Sequence, residues 1–336
     1  MRTGRRTATL LLIAALQLPA AALAGVGLRP LQVHEPATDT RMPAMVFHPS
    51  PRATGHSTVG PYTVAAEFGA APAPGRHPLV LISHGHGGSA LGHHPLATSL
   101  AEAGYVVAAI EHAGDSHRDQ SGFGTERVLL GRAWQISSLL DTVLADPQLA
   151  AMIDPQRIGV TGFSAGGHTS LMLLGAVPDL ANRTRYCEQQ PRDAELCLQP
   201  AAHAPPLQQR RPLADPRIAA ALVMAPLGVF FDRPALQAVR RPVFVHAAMA
   251  DSVLLPRWNA LAVRDGVQHL AGWRGVVGAD HFVYLAPCPA AMSEALPRLC
   301  VDAGGVDRRA VQTLLATDAV AFFNQALPAA TPSVHP

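Results

Sequence analysis

Charge is scarce in this chain. Only 15% of its 336 residues are charged, and the formal net charge of +2 is close to balance. No block of like charges occurs, so neither a nucleic-acid partner nor an interaction tail is expected. No internal repeat is visible. Cys-x-x-Cys is absent, which counts against the rival reading of the four cysteines as a zinc site. What the chain has in place of charge is apolar residues, 49% of the total, ample for a sizeable core. That length and composition fit one large α/β domain or two small ones and exclude disorder.

The N-terminus reads as an export signal. Arg2, Arg5 and Arg6 give a basic start, Leu10 to Leu18 an apolar centre, and Ala22-Leu23-Ala24 a small-residue cleavage pattern before Gly25. A permanent anchor fits less well, because the apolar stretch is short for a span and is interrupted by Gln17 and Pro19. The pair Arg5-Arg6 raises a twin-arginine route, but Gly4 before it and Thr7-Ala8 after it suit that signal poorly. A mature chain starting near Gly25 is therefore expected, periplasmic or secreted. Four cysteines in an exported chain suggest two disulfides. Cys187 with Cys197 and Cys288 with Cys300 is the simplest of the three pairings, since each closes a short local loop.

Past the signal, residues 31–37, 42–49 and 62–68 look like strands separated by Pro, Gly and Ser turns, a leading antiparallel meander. From Pro78 the rhythm changes to strand then helix. Residues 79–83 form a continuous apolar run suited to a buried parallel strand, and 94–103 suit a helix stopped at Gly104. Residues 105–110 read as a strand, and 126–145 as a helix with Leu130, Trp134, Leu140 and Leu144 at helical spacing, ending before Asp146-Pro147. Strands over 157–161, 217–225 and 242–248 complete the pattern. Alternation of this kind predicts an α/β class, a mostly parallel sheet with helices on both faces. The expected domain covers 25–328, with a Gln-, Arg- and Pro-rich insertion at 178–216 lying over the active site, and a frayed tail at 329–336.

Gly162-Phe163-Ser164-Ala165-Gly166 stands between the strand-like run 157–161 and the helix-like run 168–174. Strand, Gly-x-Ser-x-Gly, helix is the setting of a nucleophile elbow, in which flanking glycines spare the backbone a collision. Asp251 and His281 follow later strands, beyond the carboxyl ends where open α/β sheets bind ligands. His281 would take the Ser164 proton while Asp251 orients its ring. The alternative is that Asp251 merely caps the helix that begins near Pro256, with Asp280 or Asp232 as the acid. An oxyanion hole is expected from the N–H of Ala165 and one in His84-Gly85-His86-Gly87-Gly88, with His86 the candidate. Phe163, His112 and Trp258 are candidate substrate-binding residues.

A different chemistry competes for the same segment. His84, His86, His93 and His94, with His112, Asp115 and His117, could bind zinc or another divalent ion, as in a metal-dependent hydrolase. The tight spacing of a His-x-His-x-Asp-His metal box is missing, however, and that reading leaves the elbow without a purpose. A non-catalytic binding protein on the same fold is the third alternative.

On the residues His84 to Gly88, Ile153 to Val160, Gly162 to Gly167, Asp251 and His281, the chain resembles the α/β-hydrolase superfamily. More narrowly it resembles secreted proteins labelled predicted dienelactone hydrolases, which are similar to platelet-activating-factor acetylhydrolases and cutinase-like polyester hydrolases. The resemblance runs from about His34 to about Tyr284. It implies a triad of Ser164, Asp251 and His281, oxyanion donors at His86 and Ala165, and no cofactor. True dienelactone hydrolases use a cysteine nucleophile, and Ser164 here favours ester hydrolysis over lactone opening. The implied activity is that of a serine carboxylesterase acting on a small ester or lipid: short-chain, phospholipid acetyl or aromatic.

Overall fold

The computed structural model describes residues 25–36, 39–53, 55–193, 196–197 and 212–329. The expected export signal at 1–24, the middle of the insertion and the tail from 330 lie outside the described residues. Among the described residues eleven strands are formed: β1 Gly25–Glu35, β2 Thr40–Ser50, β3 Ser57–Val59, β4 Tyr62–Val64, β5 Glu67–Phe68 and β6 His77–Ser83. They continue with β7 Val106–Ile110, β8 Ile153–Phe163, β9 Ala220–Met224, β10 Val243–Ala248 and β11 Leu270–Val276. The helices are α1 His94–Glu102, α2 Glu126–Ala145, α3 Pro147–Met152, α4 Ala165–Leu173 and α5 Asn182–Gln189. After them come α6 Arg233–Gln237, α7 Ala260–Gly266, α8 Ala290–Ala295, α9 Pro297–Cys300 and α10 Arg308–Ala326.

Nine strands form one sheet in the order β11-β10-β9-β8-β6-β7-β2-β1-β5. From β11 to β7 every neighbouring pair is parallel, while β2 runs antiparallel to both β7 and β1. The buried parallel strands carry side chains to both faces. In β6, Leu79 and Leu81 meet Ile136, Leu139 and Leu140 of α2, whereas Val80 and Ile82 meet Leu96 and Leu100 of α1 and Phe323 of α10. This is why the run reads as continuously apolar and not as alternating. The architecture is the mostly parallel α/β sheet expected from the alternating pattern, and it matches the α/β-hydrolase fold that the resemblance implies.

Chain direction across the sheet reverses between β6 and β8. β7 lies on one side of β6, and α2 then carries the chain back to place β8 on the other, so β6 and β8 form the switch point at which ligands bind. Their register pairs Ser83 with Gly162, which sets the loop after β6 beside the turn after β8.

Several details depart from the sequence reading. The meander is real at β1 and β2, but residues 62–68 break into β4, which pairs with β3 in a separate hairpin, and β5, which pairs with β1 in parallel. The helix over 126–145 is followed at once by α3, because Asp146 ends α2 and its carboxylate accepts from the N–H groups of Gln148 and Leu149, with Pro147 at the first helical position. No helix among the described residues is long and apolar enough to cross a membrane.

Both disulfides join the cysteines that are near in sequence, Cys187 to Cys197 and Cys288 to Cys300. The second staples the excursion between His281 and α10. With a sequence separation of 12 residues, removing it as Cys288→Ser/Cys300→Ser should cost about 2–4 kcal/mol in urea unfolding. An unchanged unfolding midpoint would show that the loop is held by its packing alone.

Candidate active site

Ser164 sits between β8 and α4 with φ +55° and ψ −117°, a region that side chains other than glycine rarely occupy. Its N–H donates to the Met224 carbonyl at 2.9 Å, and its own carbonyl accepts from Gly167 at 2.9 Å and Leu227 at 3.0 Å. The glycines beside it are required by close approach. A Cβ on Gly162 would lie 2.1 Å from the Gly166 carbonyl oxygen, and one on Gly166 would lie 1.8 Å from the Ser83 carbonyl oxygen. These are backbone collisions that no rotamer relieves.

His281 opens a short 3₁₀ turn after β11, and Asp251 lies in the loop after β10. His281 Nε2 is 3.0 Å from Ser164 Oγ, and His281 Nδ1 is 2.7 Å from Asp251 Oδ2. With the Nδ1–H donating to Asp251, Nε2 is left to accept from the serine hydroxyl. The second Asp251 oxygen accepts from the N–H groups of Val253 at 2.9 Å and Leu254 at 2.7 Å. All three side chains are buried, yet Ser164 lines a cavity. Asp280 does not reach the ring: its oxygens accept from the backbone of His281 and from Ser252. Asp232 caps α6. Of the three candidate acids, Asp251 is the one against the imidazole.

The cavity beside Ser164 measures about 140 Å³ and is lined on its apolar side by Phe123, Val128, Leu129, Leu227, Phe230 and Leu254. Ala165 and His86 also line it. The Ala165 N–H opens α4, where no intrahelical acceptor exists. Arg183 and Leu196 of the insertion also line the cavity.

The three candidate substrate residues are placed elsewhere. Phe163 is buried behind the triad, its ring centroid 4.7 Å from that of His281. Since it precedes the elbow serine on β8, its side chain joins the core. His112 is fully buried, with its ring nitrogens facing Ser83 Oγ at 2.8 Å and Gln135 Oε1 at 2.7 Å. Trp258 packs edge-on against Tyr186, outside the cavity lining. The apolar residues that line it are not among the sequence candidates. Phe123, Val128 and Leu129 carry a positional signal, since they occupy the turn into α2 beyond the β7 strand end, but their apolar character does not distinguish them from core.

The histidine cluster is dispersed. His84 donates from Nδ1 to the Gly85 carbonyl at 2.6 Å and accepts at Nε2 from the His112 N–H at 2.9 Å. His93 donates to the Tyr284 carbonyl at 3.0 Å, and His86 lies against the Asp115 carboxylate. His94 rests against the Tyr62 ring, and His117 is part-exposed near Glu111. Among the described residues no three His, Cys, Asp or Glu side chains converge as a metal ion requires.

The sequence model of the family described as "Platelet-activating factor acetylhydrolase, isoform II" matches residues 52–129, less than a quarter of the chain, ending before Ser164. No curated protein matches the sequence. Among solved structures, the chain is similar to a ferulic acid esterase from Streptomyces cinnamoneus, with a TM-score of 0.61 and 20% identity over 96% of each chain. At that identity the likeness is one of fold, and it extends over nearly the whole length. The chain is thus similar in part to an acetylhydrolase family and in fold to an esterase.

Burial gives the site region a pH dependence of its own. Desolvation lowers His84 and His168 to about 3 and His93 to about 4, and holds His112 well below its ordinary value. These rings are neutral in the folded chain but titrate near pH 6.5 when unfolded. The unfolded state therefore binds more protons below that pH. Stability is fully present above about pH 6.5 and is lost as pH falls towards the folded values, by up to about 1.4 kcal/mol per pH unit for each ring. The urea midpoint should drop between about pH 7 and about pH 5, before the carboxylates titrate; a flat midpoint over that interval would contradict the burial of neutral rings.

Proposed function

We propose that the protein is an exported serine esterase that cleaves carboxylic esters through an acyl-enzyme on Ser164. The observation that carries this reading is the unbroken hydrogen-bonded line from Ser164 Oγ through His281 to Asp251, opening on an apolar cavity. The partial likeness to an acetylhydrolase family and the fold likeness to an esterase support hydrolase chemistry in general. The two disulfides favour an oxidising compartment such as the periplasm or the exterior.

In this mechanism His281 Nε2 removes the Ser164 proton as Oγ attacks the ester carbonyl, and Asp251 stabilises the resulting imidazolium. The oxyanion is met by the N–H groups of Ala165 and His86, worth about 10²–10³ in rate for each donor. Collapse of the tetrahedral intermediate breaks the bond to the alkoxy oxygen, which leaves as the alcohol with the proton from His281. Water then loses a proton to His281 and attacks the acyl carbon, and Ser164 Oγ departs carrying that proton. No cofactor enters these steps.

The cavity bears on substrate class. Its volume of about 140 Å³ is close to that of a buried apolar cavity that admits benzene, about 150 Å³. An acyl group of up to about six carbons or a single ring fits such a space. We expect the mature chain to hydrolyse p-nitrophenyl acetate, butyrate and benzoate, with laurate at least about tenfold poorer in kcat/KM. Ser164→Ala should lower kcat by roughly 10⁴-fold or more, and a chelator should have no effect. Turnover that survives Ser164→Ala but not chelation would move the chemistry to a metal ion. No turnover of any ester, and no labelling by a serine-directed phosphonate, would mark a binding protein.

A further inference from the structure

We infer that Asp115 and Arg132 are positioning residues of this esterase, an ion pair that clamps the His84–Gly88 loop so that its His86 N–H faces the oxyanion. The inference rests on the serine-esterase reading above and adds to it two residues that line the cavity but whose hydrogen bonds go to the loop and to each other and not to the triad.

The loop needs such a device. Gly87 adopts φ +62°, and its neighbour Gly88 is glycine too, so the segment has little stiffness of its own. Both ends of it are tied to one ion pair. Arg132, on the second turn of α2, donates from Nη2 to the His84 carbonyl and, at 3.3 Å, to Ser83 Oγ, while Nη1 donates to Asp115 Oδ2. The other Asp115 oxygen faces His86 Nδ1 and accepts from the Gly87 N–H at 3.2 Å. The loop is further stitched to the segment holding Asp115, since the His117 N–H donates to the Gly88 carbonyl at 2.9 Å. The His86 ring in turn stacks on Phe123, with centroids 3.8 Å apart.

Asp115 and Arg132 are each about 1% exposed. Burial works against the Asp115 charge, but Arg132 and the His86 hydrogen bond outweigh it and hold the carboxyl below the usual carboxylate range. A buried ion pair adds little net stability over an aliphatic pair of the same volume. An aliphatic pair would, however, leave the His84 carbonyl and the Gly87 N–H without partners. The pair therefore does something for the loop that packing alone does not.

The test compares Arg132→Gln and Asp115→Asn with wild type and Ser164→Ala in the full chain. The measurements are kcat and KM on p-nitrophenyl butyrate, the affinity of a boronic acid that forms a tetrahedral adduct with the serine, the melting temperature, and the low-field proton resonance of the His281–Asp251 bond. The clamp predicts kcat lower by about 10²-fold with KM within about twofold, and boronate affinity weakened in step with kcat. The low-field resonance should be unchanged. A folded variant with wild-type kcat and boronate affinity would overturn the clamp while leaving the esterase reading intact. Turnover indifferent to Ser164→Ala would instead remove the esterase reading, and the clamp with it. If Arg132→Gln fails to fold, Asp115→Asn decides alone. Failure of both to fold would assign the pair to the fold and overturn a separate positioning role.

Discussion

The backbone of Ser164 is turned to φ +55° and ψ −117°, a conformation costing on the order of 1–3 kcal/mol that persists only where its surroundings enforce it. Here the enforcement comes from three sides. Its N–H is bonded to β9, its carbonyl to α4 and to the segment after β9, and Gly162 and Gly166 let β8, α4 and the end of β6 approach to distances that a methyl group would prevent. Everything else at the active end follows from this turn. The hydroxyl is raised off the end of β8 to meet an imidazole delivered from β11, and Ala165, the first residue of α4, lines the cavity.

Polar groups around the turn divide into those that keep a functional degree of freedom and those that spend all their hydrogen bonds on the scaffold. His84 and His112 are of the second kind: sealed from water, held neutral, and bonded to backbone or neutral side chains. His281 is of the first kind, with one nitrogen fixed by a carboxylate and the other facing a hydroxyl. The chain holds 16 histidines, and what separates one use from the other is the partner on each nitrogen.

The strand-helix rhythm from residue 78 onward was legible because buried parallel strands are short apolar runs bounded by Gly and Pro, and the observed β6, β7, β9 and β10 fall within two or three residues of the expected spans. The elbow and the order Ser164, Asp251, His281 were legible for the same reason, since each follows a strand end. Pairing near cysteines also proved sound. What was not legible depended on distant contacts. Phe163 lies within the elbow and His112 just past the end of β7, but the pleat of β8 turns the first into the core and hydrogen bonds with Ser83 and Gln135 hold the second buried. Conversely Leu227 and Phe230 reach the cavity from a segment with no motif, and Arg132 looks like an ordinary surface charge on an amphipathic helix until its buried partners are seen.

Two parts of the cavity wall differ in what else they hold. Val128 and Leu129 stand on the same helix as Arg132, one turn or less away, so any change of shape on that side is felt by the loop that the arginine holds. Arg183 and Leu196 belong to the disulfide-closed excursion, which carries no part of the triad or of the loop after β6. On the proposed clamp, a change of preference made on the α2 side would carry with it a change in the speed of the reaction, whereas one made on the excursion side would not.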